Sequence, residues 1–242
     1  MTERSQQKNI SVPEGIWIMK QTWNDVLFAH WPVNYSTLRA KIPPILDIDT
    51  YNGQAWVSVL PFMLTNLRAR FLPPIPGAQS FPELNLRTYV TYKGKPGIYF
   101  FSLDADHRLA VQGARTFFHL PYFYADMKAE KNGDNMEYRS KRRDAGKAEF
   151  GAKYRPLSAP FTAQEDSLDY WLTERYRLYT AHRDKLYYED IHHHPWLLQR
   201  AEAQFSINTV ADAHEITLPD SEPLLHYAKK QDVLFWPLRQ WR

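Results

Sequence analysis

Apolar and polar residues alternate with a period of two along much of the chain, the spacing that sends successive side chains to opposite faces of a strand. Aromatic and β-branched residues fill such segments at 54–60, 84–92, 97–103, 137–143, 149–154 and 176–182, and these types suit a pleated, half-buried surface. Lys93-Gly94-Lys95 and Arg183-Asp184-Lys185 separate neighbouring segments by few residues, which predicts antiparallel hairpins. Helical spacing is rarer. It predicts short helices at 37–41 after Asn34-Tyr35-Ser36, at 120–128, and at 163–173 with Thr162 as N-cap and Glu165 and Asp166 in the first turn. Prolines mark changes of direction at Pro43-Pro44, Pro73-Pro74 with Pro76, and Pro156 with Pro160. No repeat or composition shift divides the chain. The expectation is therefore one α+β domain over 1–242, mainly antiparallel, with residues 1–12 a flexible lead-in.

Composition narrows the chemistry. With 44% hydrophobic, 24% charged and 15% aromatic residues over 242 positions, the chain has enough apolar surface to fold around a core. No apolar run approaches the roughly 18 residues of a spanning helix, so no membrane span is expected. The polar start, 1–9, carries no export signal, which makes the cytoplasm the default location. Zero cysteines exclude disulfides, thiolate nucleophiles and thiolate metal sites. The net charge of +3 is spread out and argues against a nucleic-acid partner. The densest basic run, Arg139 and Lys141-Arg142-Arg143 followed by Lys147, reads as an exposed turn between strands.

One strand stands out. Over 83–90 the period of two groups Glu83, Asn85, Arg87 and Tyr89 on one face and Leu84, Leu86, Thr88 and Val90 on the other. Such a strand has either one solvated face or a polar row lining a barrel or cleft, where donors and acceptors would meet a ligand.

Phe81-Pro-Glu-Leu-Asn-Leu-Arg-Thr-Tyr-Val90, Phe100-Phe-Ser-Leu-Asp104, Gly113-Ala-Arg115, Leu120-Pro-Tyr122, Glu174-Arg-Tyr176 and His194-Pro-Trp196, with the stretch 23–32, resemble the YqjF-like family of uncharacterised bacterial proteins. The resemblance covers nearly the whole chain and implies the acetoacetate-decarboxylase-like superfamily, hence a cone-shaped or closed antiparallel β-barrel around a pocket. Against the decarboxylase pattern, Glu83 resembles the strand glutamate, Gly113-Ala114-Arg115 resembles its Gly-Arg element with one insertion, and Pro121 keeps the spacing of six. Tyr122 stands where the resemblance implies a Schiff-base lysine, and Thr116 where it implies a glutamate. A phenol cannot form an imine, so acetoacetate decarboxylation is not expected. Lys128, six positions later, reads as a surface residue on an amphipathic segment.

Tyr122 is then either a core tyrosine bonded to backbone or a group orienting a ligand. Arg115, read in an apolar strand, needs Glu83, Asp104 or an anionic ligand as partner. His192-His193-His194 can offer two metal ligands on one strand face, with His30, His107 or His119 as a distant third. No spacing singles out that third, and packing of His194 beside Trp196 is preferred, so no metal is assigned. In the second hairpin, 175–181 and 186–192, Glu174 shares a face with Tyr176, Leu178 and Thr180. It is either a general acid or base with a raised pKa or one half of an ion pair that pins a helix to the barrel. No phosphate loop, nucleophile elbow or dinucleotide fingerprint is present.

The sequence thus points to a protein that binds a small, oxygen-rich or anionic molecule through Glu83, Asn85, Arg87, Arg115 and Tyr122, with no cofactor. The alternatives are an imine-independent lyase or isomerase using Glu83 or Glu174 with Arg115 as oxyanion partner, and an oligomeric interaction scaffold. Self-association into a homo-oligomer is compatible with each.

Overall fold

The computed structural model describes residues 12–73, 79–143 and 146–241; residues 1–11 of the expected lead-in, and Pro74 and Pro76, lie outside them. Strands dominate: β1 (Met19–Val33), β2 (Asp47–Ile48), β3 (Ala55–Ala69), β4 (Ser80–Tyr92), β5 (Lys95–Ala105), β6 (Tyr122–Asn132), β7 (Asn135–Arg142), β8 (Glu149–Pro156), β9 (Arg177–His182), β10 (Lys185–His192), β11 (Leu198–Asn208), β12 (Leu224–Phe235) and β13 (Arg239–Gln240). The helices are α1 (Tyr35–Arg39), α2 (Arg108–Phe118) and α3 (Leu168–Thr173). None is long and apolar enough to cross a membrane.

Nine strands close into a barrel in the order β5-β6-β7-β8-β11-β12-β1-β3-β4, with β4 pairing back to β5. Closure removes the exposed edges that an open sheet would leave. The sheet is mixed, because β5 runs parallel to both β6 and β9. The β9–β10 hairpin leans on β5 through β9 and on β12 through β10, making a second closure over the same β12-β1-β3-β4-β5 wall. Strands of that shared wall have both faces covered. In β4, Leu84, Leu86 and Val90 enter the largest apolar cluster, whereas Phe81 and Tyr89 enter two others. The reading of β4 with one solvated face is therefore overturned: every residue from Glu83 to Val90 is buried.

The β5–β9 seam explains one glycine. A Cβ on Gly97 would stand 2.7 Å from the Tyr179 ring and 2.8 Å from the Arg177 carbonyl oxygen, so only glycine lets these parallel strands approach. The expected hairpin turn between β4 and β5 is present, with Lys93 and Gly94 at φ 49° and 73° as a type I′ turn requires.

Two helix expectations need correction, and one helix was not expected. Of the residues 120–128, all from Tyr122 on belong to β6: Ala125, Met127 and Ala129 face inward and Asp126, Lys128 and Glu130 outward, and pairing with β7 overrides helix-forming residue types. The helix expected at 163–173 is confined to α3, capped by Ser167 accepting from the Tyr170 amide at 3.2 Å and not by Thr162. An unforeseen helix, α2, carries Gly113-Ala114-Arg115, so Arg115 does not lie in a strand. His107 caps α2 by accepting from the Ala110 amide, and His119 ends it in the left-handed region at φ 53°.

Candidate functional site

The odd-numbered face of β4 places Glu83, Asn85 and Arg87 in a row about 7 Å apart, all nearly inaccessible to water at 4%, 4% and 5% exposure. The backbone of Glu83 is held from two sides, by pairing with Phe62 and Ala105. Its carbonyl also accepts the Tyr138 hydroxyl at 2.7 Å. The carboxyl accepts the Tyr122 hydroxyl at 3.0 Å. Burial pushes the Glu83 carboxyl up to about 8, against the Tyr122 hydrogen bond and with help from Asp104. Glu83 is therefore protonated at neutral pH and keeps an O–H to donate. The Tyr122 phenol is held well above its ordinary value by burial and then by Glu83 and Glu189. Of the two roles open to Tyr122, the structure supplies a side-chain partner, a buried carboxyl, for its hydroxyl.

Further along the row, Asn85 Oδ1 and Arg87 Nε have no hydrogen-bond partner. Arg87 Nη2 donates to the Leu172 carbonyl at 3.3 Å, and its guanidinium lies 5.7 Å from the Phe28 ring and 5.9 Å from the Tyr89 ring. Among the described residues no carboxylate comes within ion-pair distance of it. Burial, partly offset by Tyr89, depresses its pKa. Tyr89 continues the row: its hydroxyl donates to the Leu172 carbonyl at 3.0 Å and lies 2.7 Å from Ser58 Oγ and 3.2 Å from His30 Nδ1. Burial, then His226 and Arg87, hold His30 well below the ordinary imidazole value.

Other expected site residues lie elsewhere. Arg115 is exposed on α2, with Nε donating to the Tyr122 carbonyl oxygen at 2.6 Å. It lines a pocket of about 420 Å³ whose wall includes Pro121 but not Glu83, Asn85, Arg87 or Tyr122. The five-residue ligand lining thus divides into an interior row and one outer arginine. Asp104, offered above as a partner for Arg115, pairs with Arg142 at 2.8 Å, each side chain 1% exposed. Arg142 is accordingly no member of an exposed basic turn, although Arg139, Lys141 and Arg143 are exposed and ion-paired at the surface.

Glu174 is buried, and burial raises its pKa. Its carboxylate accepts the Trp196 amide at 2.8 Å and the Tyr176 hydroxyl. This is a hydrogen-bonded clamp between the end of α3 and the His-Pro-Trp segment, where an ion pair was the structural expectation. Arg175 and Arg177 pair instead with Asp49 and Asp190, each at 2.6 Å. In the histidine run it is His193, not the exposed His194, that packs on Trp196, at 5.3 Å between rings, and it stacks on Tyr176 at 4.5 Å. No cluster suited to a metal ion exists among the described residues.

Two interior groups were missed. Glu189 on β10 is 1% exposed, and its Oε1 has no partner. Burial and then Asp190 push its pKa well up. Its signal was its place between Tyr187 and Ile191 on alternation, a carboxyl on an apolar face. His30, considered only as a distant metal ligand, sits in the almost wholly apolar stretch 26–33. Only a partner such as Ser58 makes a polar ring tolerable there.

The family model DUF2071, for uncharacterized conserved proteins, matches residues 20–232. The uncharacterized protein YqjF of Bacillus subtilis (strain 168) is 80% identical over 241 residues, covering 100% of each chain. Among solved structures, the acetoacetate decarboxylase of Legionella pneumophila aligns over 96% of this chain and 93% of its own, at a TM-score of 0.63 and 16% identity. The enduracididine biosynthesis enzyme MppR complexed with pyruvate aligns over 97% and 93%, at 0.63 and 12% identity. These structural likenesses establish the acetoacetate-decarboxylase-like barrel.

Proposed function

We propose, for a chain that belongs to the DUF2071 family, that it binds a small organic anion of carboxylate or enolate type in the space that α3 and the β9–β10 hairpin close over the shared wall, against Glu83, Asn85, Arg87 and Tyr122. The observation that carries this reading is Arg87, a guanidinium buried among Phe28, Tyr89 and the Leu172 carbonyl with no carboxylate partner and no partner for Nε among the described residues. A buried cation without an anion is costly, and a bound carboxylate would remove that cost through charge-assisted hydrogen bonds. Asn85 Oδ1 would accept from a hydroxyl on the same ligand, and protonated Glu83 would donate to a carbonyl or enolate oxygen. Pyruvate, bound in the MppR structure of the same fold, has the size and charge for such a row.

Imine chemistry is not part of this reading. Tyr122 offers no amine, and Lys128 stands exposed on β6, paired with Glu130 at 2.6 Å. A second reading is favoured by one observation, the raised pKa of Glu83 beside the Tyr122 hydroxyl. A carboxyl that holds its proton near neutrality is suited to general acid–base work on a carbonyl compound, as a lyase or isomerase requires.

The test is thermal unfolding of the full chain against pyruvate and other short oxo acids. Ligands that bind the native state raise the melting temperature with concentration. The expected result is a shift in the wild-type chain that disappears in Arg87→Met. A shift that survives in Arg87→Met, or no shift with any acid of the panel, would overturn the proposal. Consumption of a binding acid, lost in Glu83→Gln, would select the enzyme reading.

A further inference from the structure

Glu189 points into the same enclosure as Arg87, and strand register shows it. Tyr89 on β4 pairs with Ile98 on β5, Ile98 with Leu178 on β9, and Leu178 with Glu189 on β10. Residues opposite one another in paired strands project to the same side of the sheet. Tyr89, Ile98 and Leu178 belong to one apolar cluster, as does Ile191, two positions beyond Glu189. Arg87 lies on the face of Tyr89, two positions away, and pairs with Phe100 of that cluster. Tyr122 packs against the same cluster, and its phenol is held up by burial, then Glu83, then Glu189.

In this lining Glu189 is the converse of Arg87. It is 1% exposed, its Oε1 has no hydrogen-bond partner, and no cation among the described residues comes within ion-pair distance of it. Arg175 and Arg177, at the entry to β9, are engaged by Asp49 and Asp190, each at 2.6 Å. Burial, and then Asp190, push the Glu189 carboxyl well up, so within the chain alone it keeps its proton. Such a group serves an anion poorly. A hydroxyl or an amide donates to a carboxylate without the risk of repelling it, whereas a carboxyl can become the partner of a cation. An ammonium beside Glu189 would favour its carboxylate form, with the proton passing to water. Arg87 and Glu189 do not answer each other, because β5 and β9 stand between their strands. Three strand spacings are roughly 14 Å along the sheet.

We propose that the space under the β9–β10 hairpin takes an ω-amino acid, its carboxylate on Arg87 and its ammonium on Glu189. A cation lacking an anion and a carboxyl lacking a cation, set apart in one lining, are answered together by a molecule with opposite charges at its two ends. The separation favours the ends of a chain over two groups on one carbon. The assignment depends on Arg87 holding a carboxylate, as above, and adds the far end of the ligand.

Calorimetric titration of the full chain with 4-aminobutyrate, 5-aminopentanoate and 6-aminohexanoate, each beside the unsubstituted acid of the same length, tests it. At least one amino acid is expected to bind about tenfold more tightly than its unsubstituted counterpart. Glu189→Gln should remove that preference and leave the unsubstituted acid bound as in wild type, whereas Arg87→Met should weaken both members of the pair. Glu189→Met is the second variant, and circular dichroism melts confirm that each folds. The readout is a ratio within one variant, which a general loosening of structure does not change selectively. Equal affinity for both members of every pair in wild type, or a preference that survives in Glu189→Gln and Glu189→Met, would overturn the role of Glu189 and leave Arg87 as a carboxylate anchor. Binding that is undiminished in Arg87→Met, or no binding of either class to wild type, would overturn the anchor and this assignment with it.

Discussion

Arg142 and Arg87 are both buried arginines on barrel strands, and their surroundings are opposite. Arg142 meets Asp104 at 2.8 Å, donates through Nε at 2.9 Å, and rests 4.0 Å from the Phe123 ring. Its charge is answered within the chain, and the pair joins β7 to β5 past the intervening β6. Arg87 has two rings at nearly 6 Å and a backbone carbonyl. Nothing in the fold requires a cation there, since an apolar side chain of similar length would fill the space without desolvating a charge. The difference teaches where to look for function: a buried charge with its counter-ion holds a structure together, and one without it marks a place kept for something else.

Stability measurements can break that comparison. Asp104→Ala leaves Arg142 buried without its carboxylate and should cost about 3–5 kcal/mol by urea unfolding. A loss near zero would mean that the pair is not the structural element described. The next effect is on pH dependence. The Glu83 carboxyl keeps its proton in the folded chain up to about pH 8 and loses it near 4.5 when unfolded. Its contribution is therefore full below 4.5 and declines as pH rises to 8, by up to about 1.4 kcal/mol per pH unit. Glu189 and Glu174 act with the same sign, so the share of Glu83 is the slope that vanishes in Glu83→Gln. An unchanged slope in that variant would contradict the raised value.

Tyr122→Phe should lose about 1 kcal/mol and move the Glu83 titration still higher, because the hydroxyl is what pulls it down; infrared titration of the carboxyl reads this directly. Arg87→Met sharpens the contrast most, since its stability should stay within about 1 kcal/mol of wild type or exceed it, in opposition to Asp104→Ala. The smallest effect is expected of Lys128→Gln at the exposed pair with Glu130, within about 0.5 kcal/mol.

The row from Glu83 to Tyr89 and the two hairpins were legible because strand alternation and turn chemistry are local. Residues 120–128 misled for the same reason. Alanine, methionine, lysine and glutamate favour a helix locally, and only the partners β5 and β7 made a strand of them. Arg142 was indistinguishable from Arg139 and Arg143 in its run, as nothing local records that Asp104 lies opposite. The pairing of Tyr122 with Glu83 spans 39 positions and came within reach only through the resemblance.

Sequence alone determined the class of fold, the absence of thiol and disulfide chemistry, the polar face of β4 and the tyrosine at the position where an amine was expected. These are properties of residue type and of spacing along one element, which no folding partner can alter. Tertiary structure decided which charges are answered. It paired Asp104 with Arg142, left Arg87 without a carboxylate among the described residues, carried Arg115 outward on a helix and brought Glu189 in. Counter-ions and desolvation are set by what the chain places within a few ångströms, and for a closed barrel those neighbours come from strands far apart in sequence.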